Sequence, residues 1–250
     1  MATVDPRAAS GFGPAAEAYE RGRPSYPPDA VERLAGALGL DADSEVLDLA
    51  AGTGKLTRVL LPRFARVVAV DPSDGMLDVL RAELPEAEVR TGTAASIPLP
   101  DGAVDAVFVA EAFHWFGTEA VCREIARVLR PGGGLGLLWN RDDWTPFPWR
   151  ARFDALTKPY RAAAGTFPAE DWDEALAASG RFGALGSADI EHVHATTGAG
   201  LVDLVASWSW IANLPESERA ALLAGVAGLV APDAPLDLTY RTEVEWAPLV

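Results

Sequence analysis

The chain has 250 residues, 49% of them hydrophobic and 23% charged, which is the composition of a folded globular protein with room for one large core and an appended cap. Its 36 acidic and 21 basic side chains give a formal net charge of −15, a surface that repels phosphate backbones and argues against a nucleic-acid partner. A single cysteine, Cys122, excludes an internal disulfide and a thiolate metal cluster, and its helical surroundings predict a buried structural thiol.

The N-terminal stretch carries no basic start followed by an apolar run, so no signal peptide is expected. The longest apolar run, residues 220–231, is far shorter than the roughly 18–20 residues that a membrane span needs. No membrane partner is expected, and the expected setting is a bacterial cytoplasm, the excess of arginine and alanine pointing to a GC-rich genome. The segment up to Pro28, with Tyr19, Arg23 and Tyr26, is expected to fold over a site as a lid (residues 1–28). From Ser44 to Asn140 short apolar runs alternate with helical patterns. EVLDLA, RVVAVD, AEVRTG, AVDAVFVAEA and GGLGLLWN read as strands. GKLTRVLLPRF, DGMLDVLRAEL and TEAVCREIARVL carry apolar residues at three- and four-residue spacing and read as helices. Such alternation predicts a mostly parallel sheet covered on both faces, with an α/β core over residues 29–141. Beyond it, residues 142–250 begin with a stretch rich in Trp and Pro that holds one or two helices. SADIEHVHATT and LDLTYRTEVEWAPLV read as late strands of the same sheet, and LVDLVASWSWIANL and ERAALLAGVAGLVA as helices of a substrate cap. The whole is expected to be a Rossmann-like, seven-stranded, mostly parallel sheet with a helical lid from C-terminal insertions. His192 and His194 alternate along one strand face, which is expected to be solvent-exposed rather than metal-binding, and no metal is expected.

The turn after the first strand, Asp48-Leu-Ala-Ala-Gly-Thr-Gly54, excludes two ligand classes by what it lacks. A P-loop needs glycine five residues before the Gly-Lys pair and Ser or Thr after it; Leu49 and Leu56 stand there instead. A dinucleotide loop needs a third glycine where Thr57 stands. An acidic strand end followed by small-x-Gly-x-Gly remains. Asp71 closes the second strand 23 residues later, followed by Pro-Ser-Asp-Gly-Met; its carboxylate suits a ribose diol, with a helix N-cap as the alternative role. Residues 91–102 form a further loop, and Arg130-Pro-Gly-Gly-Gly134 precedes the fifth strand.

These motifs, in this order, resemble class I S-adenosylmethionine-dependent methyltransferases. Arg21-Gly-Arg-Pro-Ser-Tyr-Pro27, Ala112-Phe-His-Trp-Phe116 and Leu138-Trp-Asn-Arg141 resemble the small-molecule branch that includes trans-aconitate methyltransferase-like proteins. The resemblance implies S-adenosylmethionine as cofactor, S-adenosylhomocysteine as product, and a small-molecule acceptor. It places Asp48, Ala50, Gly52, Gly54, Asp71, Pro72, Met76, Thr93, Ala94 and Glu111 around the cofactor, Asp48 toward its ammonium and Met76 against the adenine. Ala50 stands where the family usually has glycine, and Thr93 where many relatives are acidic. Tyr19, Arg23, Tyr26, His114, Trp115, Trp139, Asn140 and Trp208 are the expected acceptor-side residues, Arg141 joining them as a pocket wall. His114, just after the fourth strand, is the candidate base, or else a pocket wall. O-, N- and C-methylation stay open, as does a monomer or homodimer. A non-methylating enzyme such as a cyclase or eliminase, or a binding module, is the alternative use of such a fold; methylation of RNA is disfavoured by the charge.

Overall fold

A computed structural model describes residues 16–163, 169 and 171–250. Residues 1–15 of the expected N-terminal lid therefore lie outside the described residues. In chain order the elements are α1 (Ala16–Gly22), α2 (Pro28–Leu38), β1 (Glu45–Leu49), α3 (Thr57–Leu60), β2 (Arg66–Asp71), α4 (Asp74–Glu83), β3 (Glu88–Thr91), β4 (Val104–Ala110), α5 (Phe113–Phe116), α6 (Glu119–Val128), β5 (Leu129–Asp142), α7 (Arg150–Ala163), α8 (Trp172–Ala178), β6 (Gly186–Thr197), α9 (Gly198–Ala206), α10 (Ser209–Ala212), α11 (Glu216–Ala227) and β7 (Pro235–Pro248).

The seven strands form one sheet in the order β3-β2-β1-β4-β5-β7-β6. β1 pairs in parallel with β2 and β4, while β7 runs antiparallel between β5 and β6. β1 and β2 are buried on both faces, which explains their unbroken Val and Leu runs. The late strands expected after residue 142 do join this sheet. β6 and β7 alternate in burial instead, since one face meets the core and the other meets solvent. One expectation fails here: His192 and His194 lie on the inner, half-buried face of β6, and Val193 between them is the exposed residue. The strand is polar enough to look like an outer face, but Tyr240 of β7 covers the imidazoles, with ring centroids 5.5 and 6.4 Å away.

Two cores flank the sheet. On one face α6 buries Val121, Cys122, Ile125, Ala126 and Val128 against Leu135 and Leu137. Removing an Ile125-sized side chain from water is worth about 1.5–3 kcal/mol. Cys122 is fully buried and burial pushes its thiol up to about 11, which keeps it inert at neutral pH. On the other face α2, opened by Pro28 and closed by Gly39 in the left-handed region, presents Val31 and Leu34 to Phe108 and Leu138. A third cluster fills the cap: Trp144, Trp149 and Phe153 meet Leu201 and Leu204 of α9, Leu222 of α11, and Leu238 and Tyr240 of β7. Among the described residues no helix is long and apolar enough to cross a membrane.

The Arg-Pro-Gly-Gly turn works at the end of the sheet away from the strand C-termini. Arg130 pairs with Glu45 at 3.0 Å and Asp105 at 2.8 Å, and Arg66 links Glu45 to Glu88 at 3.2 and 2.8 Å. A Cβ on Gly133 would stand 2.4 Å from the Asp105 carbonyl oxygen, so only glycine fits the crossing.

Candidate cofactor and acceptor site

A parallel sheet presents its ligands at the strand C-termini, where the order reverses between β1 and β4. Asp48, Asp71, Glu111 and Asn140 all stand at that end, on β1, at the close of β2, after β4 and on β5 respectively. Between Asp48 and α3 the chain turns through three left-handed residues, Ala50 (φ 62°), Gly52 (φ 57°) and Gly54 (φ 87°). Ala50 adopts that region at a cost of about 1–2 kcal/mol, offset in part by its N–H and that of Ala51, which both donate to the Val70 carbonyl (2.7 and 3.1 Å). Nothing lies within 4 Å of a Cβ placed on Gly52, so the loop backbone faces open space there.

Asp71 ties this loop to the second strand. Its Oδ2 accepts from the Gly52 N–H at 2.9 Å and its Oδ1 from the Ser73 N–H at 2.8 Å. The N-cap of α4 is Ser73, whose hydroxyl accepts from the Met76 N–H at 3.4 Å, so the capping alternative for Asp71 is answered by its neighbour. A carboxylate has about four lone-pair sites, so two are left over for further donors. Pro72 is exposed beside it, and Met76, in the first turn of α4, is buried. Thr93 and Ala94 are half-buried in the loop after β3, where Thr93 bridges to Ser96.

Asp48 is buried, and its Oδ2 accepts from the Thr57 hydroxyl at 2.6 Å. Burial raises its pKa to about 7 against the Thr57 hydrogen bond, with Asp71 adding to the rise. A buried carboxyl in this state is a fit for a cation.

A second group of side chains, which includes several expected on the acceptor side, gathers round Arg23. Its Nε–H donates to the buried Ser207 hydroxyl oxygen at 2.9 Å, and its guanidinium lies over the Tyr19 ring at 5.3 Å. Among the described residues it has no carboxylate within ion-pair distance. Tyr19, Tyr26, Glu111, His114 and Tyr240 all lie within its field. Glu111 sits in the left-handed region (φ 54°), unusual for a long side chain. It is held by its own N–H on the Leu138 carbonyl (2.9 Å) and by the Asn140 N–H, which donates to its Oε1 at 2.5 Å. Burial raises the Glu111 pKa against the pull of Arg23. His114 is driven the other way, to about 4, first by burial and then by Arg141 and Arg23, so its imidazole is neutral at pH 7 and a weak base.

Not every expected acceptor residue joins this group. Trp139 points to the face of β5 opposite Asn140, where it stacks on Trp172 at 5.4 Å within the core. Trp208 packs in the cap against Trp210 and Phe153, next to Ser207. Trp115 lies beside His114 with ring centroids 5.6 Å apart. Arg141 pairs with Glu243 at 3.0 Å. Tyr240, Thr242 and Ser207 belong to the group and were not foreseen; nothing in their spacing marks them. Glu20 is the other unforeseen residue. It accepts from Thr53 Oγ1 at 2.7 Å and pairs with Lys55 and Arg58, both at 3.2 Å, so that α1 straps across the glycine loop.

Comparison with known proteins identifies the family. A family model described as a methyltransferase domain matches residues 47–137. An uncharacterized methyltransferase-like protein of Schizosaccharomyces pombe is 39% identical over 202 residues, 80% of this chain and 78% of that one. Trans-aconitate 2-methyltransferase of Paracidovorax citrulli is 31% identical over 220 residues, 82% of both chains. The chain belongs to the class I S-adenosylmethionine-dependent methyltransferases. An uncharacterized methyltransferase of Mycobacterium tuberculosis is 58% identical over 132 residues, and this methyltransferase spans about half that relative's length (53%). In fold it matches a protein of Anaeromyxobacter dehalogenans described provisionally as a type II methyltransferase (TM-score 0.64, 22% identity, 90% of this chain and 97% of that one). It also matches a geranyl diphosphate methyltransferase in complex with its cofactor (TM-score 0.52, 15% identity, 89% and 85%).

The cofactor of this methyltransferase is S-adenosylmethionine, and the loop's open Gly52, the spare lone pairs of Asp71 and the cation-ready Asp48 fit it. A testable consequence follows from the Asp48 pKa. An ammonium beside Asp48 favours its charged form, so binding expels the proton that the free protein partly holds at neutral pH. Affinity is expected to rise with pH through 6 to 7 and level off above 8, with a calorimetric heat at pH 6.5 that depends on the buffer. Equal heats in phosphate and Tris would remove Asp48 from contact with the ammonium.

Proposed function

We propose that the protein transfers the methyl group of S-adenosylmethionine to a small, soluble, carboxylate-bearing acceptor, with the carboxylate oxygen as nucleophile. The observation that carries this reading is Arg23, whose guanidinium edge beyond Nε has no anionic partner among the described residues and faces the site. Arginine forks match carboxylates geometrically. When bound, the cofactor supplies an electrophilic methyl on a sulfonium, with a neutral thioether as leaving group. A carboxylate needs no base to attack such a carbon, which agrees with a His114 of pKa about 4. The protein's part is then alignment and exclusion of water, terms that can supply several kcal/mol. The strap of α1, the rings of Tyr19 and Tyr26 and the neutral imidazole of His114 would enclose the acceptor. The relative named for trans-aconitate supports the same class of acceptor.

Incubation with cofactor and a panel of di- and tricarboxylates is expected to yield S-adenosylhomocysteine and base-labile methyl esters. Formation of methylamines or phenol ethers alone would refute the carboxylate assignment, and turnover without demethylation would refute methyl transfer. Arg23→Leu is expected to raise the acceptor KM by about 10- to 100-fold, the worth of hydrogen bonds to a charged group, while binding of S-adenosylhomocysteine stays within about twofold. Arg23→Lys should recover only part of the loss, since an ammonium cannot offer two parallel donors.

A further inference from the structure

Among the described residues four buried side-chain polar atoms lack a hydrogen-bond partner: Oε2 of Glu245, Nε1 of Trp144, and Nε2 of both His192 and His194. Folded proteins leave few such atoms, and each calls for a physical reason. The three nitrogens belong to side chains that surround a single ring, that of Tyr240, with centroids 5.8, 5.5 and 6.4 Å from it.

The protonation of the two imidazoles can be worked out from their neighbours. Asn140 Nδ2 donates to the Ser25 carbonyl at 3.3 Å, which orients the amide and leaves Oδ1 toward Thr242. The Thr242 hydroxyl spends its one proton on that Oδ1, at 2.6 Å. The 3.2 Å contact between Thr242 Oγ1 and His192 Nδ1 therefore has the imidazole as donor, and the Nε2 of His192 is a bare lone pair. His194 bonds through its ring to the Gly22 backbone carbonyl, which makes it a donor on that side and leaves its Nε2 bare as well. Burial lowers both pKa values, so both rings are neutral at pH 7. The groups facing them are His194, Tyr240 and Thr242 for His192, and Lys55 and the Gly22 carbonyl for His194; Lys55, Tyr240 and the nearby Trp144 are donors, but none of them is within hydrogen-bond distance of either Nε2.

The result is two hydrogen-bond acceptors, two residues apart on one strand face, beneath α1 and next to the ring that shares the field of Arg23. Their complement is a hydroxyl donor. We propose that the Nε2 atoms of His192 and His194 form a hydroxyl-accepting subsite of the acceptor pocket, so that the acceptor is a hydroxycarboxylate held by its carboxylate on Arg23 and by its hydroxyl on this pair. The inference rests on the carboxylate methyl-transfer reading above. A metal ion is the competing occupant of two bare imidazoles, but among the described residues no group of three or more His, Cys, Asp or Glu side chains could hold one.

The chain has only three histidines, so imidazole nitrogen NMR on the full-length protein reads the pair directly. With S-adenosylhomocysteine bound, both Nε2 atoms are expected to be unprotonated at pH 7. Malate should move their resonances and bind at least about tenfold more tightly than succinate, the same dicarboxylate without the hydroxyl, in line with one good hydrogen bond. His192→Phe keeps a ring on Tyr240 and His194→Gln keeps a donor for Gly22; each should bring malate down to the succinate level without altering S-adenosylhomocysteine binding. Equal binding of malate and succinate, binding of neither, or protons found on Nε2 would overturn the subsite while leaving methyl transfer intact. Stoichiometric zinc uptake that shifts both Nε2 signals, with malate ignored, would overturn it in favour of a metal. Failure of S-adenosylhomocysteine itself to bind would overturn both readings.

Discussion

Asp71→Ala is expected to weaken S-adenosylhomocysteine binding by about 1.5–3 kcal/mol for the lost hydroxyl acceptors alone, roughly 10- to 150-fold. The structure makes the effect larger than a lost ligand contact. The same carboxylate receives the Gly52 and Ser73 N–H groups at 2.9 and 2.8 Å, so its removal frees the glycine loop from the β2–α4 turn. Asp71→Asn separates the two roles. One amide oxygen can still hold a loop N–H, but the amide nitrogen repels the other and cannot accept from a ribose hydroxyl. The expected order of affinity, by calorimetry, is wild type, then Asn, then Ala. The unliganded Asn variant should melt close to wild type, because the loss of one loop N–H acceptor is offset by removal of a charge that burial disfavours. Unchanged affinity in the alanine variant would remove Asp71 from the cofactor site.

Gly22→Ala should cut kcat/KM by about 30-fold or more through misplacement of Arg23, a scale that small displacements of positioning groups reach. A Cβ on Gly22 would stand 2.2 Å from the Leu204 backbone nitrogen, so α1 cannot stay seated on α9. The Arg21–Asp203 pair at 2.9 Å and the Arg23–Ser207 bond at 2.9 Å lie on either side of that contact and would be pulled apart together. The melting temperature should change little, since α1 lies outside the buried clusters of the sheet. Wild-type kinetics with an intact fold would show that the strap does not position Arg23.

How much of this was legible differs by element. The core strands could be read because burial on both faces forces continuous apolar runs, and the glycine loop because left-handed turns restrict residue choice. The same logic located Asp71 by its place at a strand end. The acceptor side was harder. Arg23 and Asn140 were visible as polar residues near aromatic ones, but Trp139, next to Asn140 in sequence, belongs to the opposite face of β5. A one-residue step along a strand reverses direction, and pattern reading near a strand end does not resolve it. The histidines of β6 were misjudged for a related reason: a half-buried polar face and a solvated one look alike until the covering ring of Tyr240 is known. Glu20, Ser207 and Thr242 act through contacts more than thirty residues away in the chain, and no local spacing encodes those.

The strap also sets a traffic rule. Helix α1 is tied at Glu20 to the glycine loop through Thr53, Lys55 and Arg58, and at Arg21 and Arg23 to the cap through Asp203 and Ser207. One short helix is thus tied to the glycine loop and to the cap together, and neither tie can be released without loading the other. Any movement of α1 away from the site is expected to break several of these charge-assisted bonds at once. Product release is therefore expected to limit turnover, and added salt, which weakens the half-exposed pairs first, should raise kcat before it harms the chemistry.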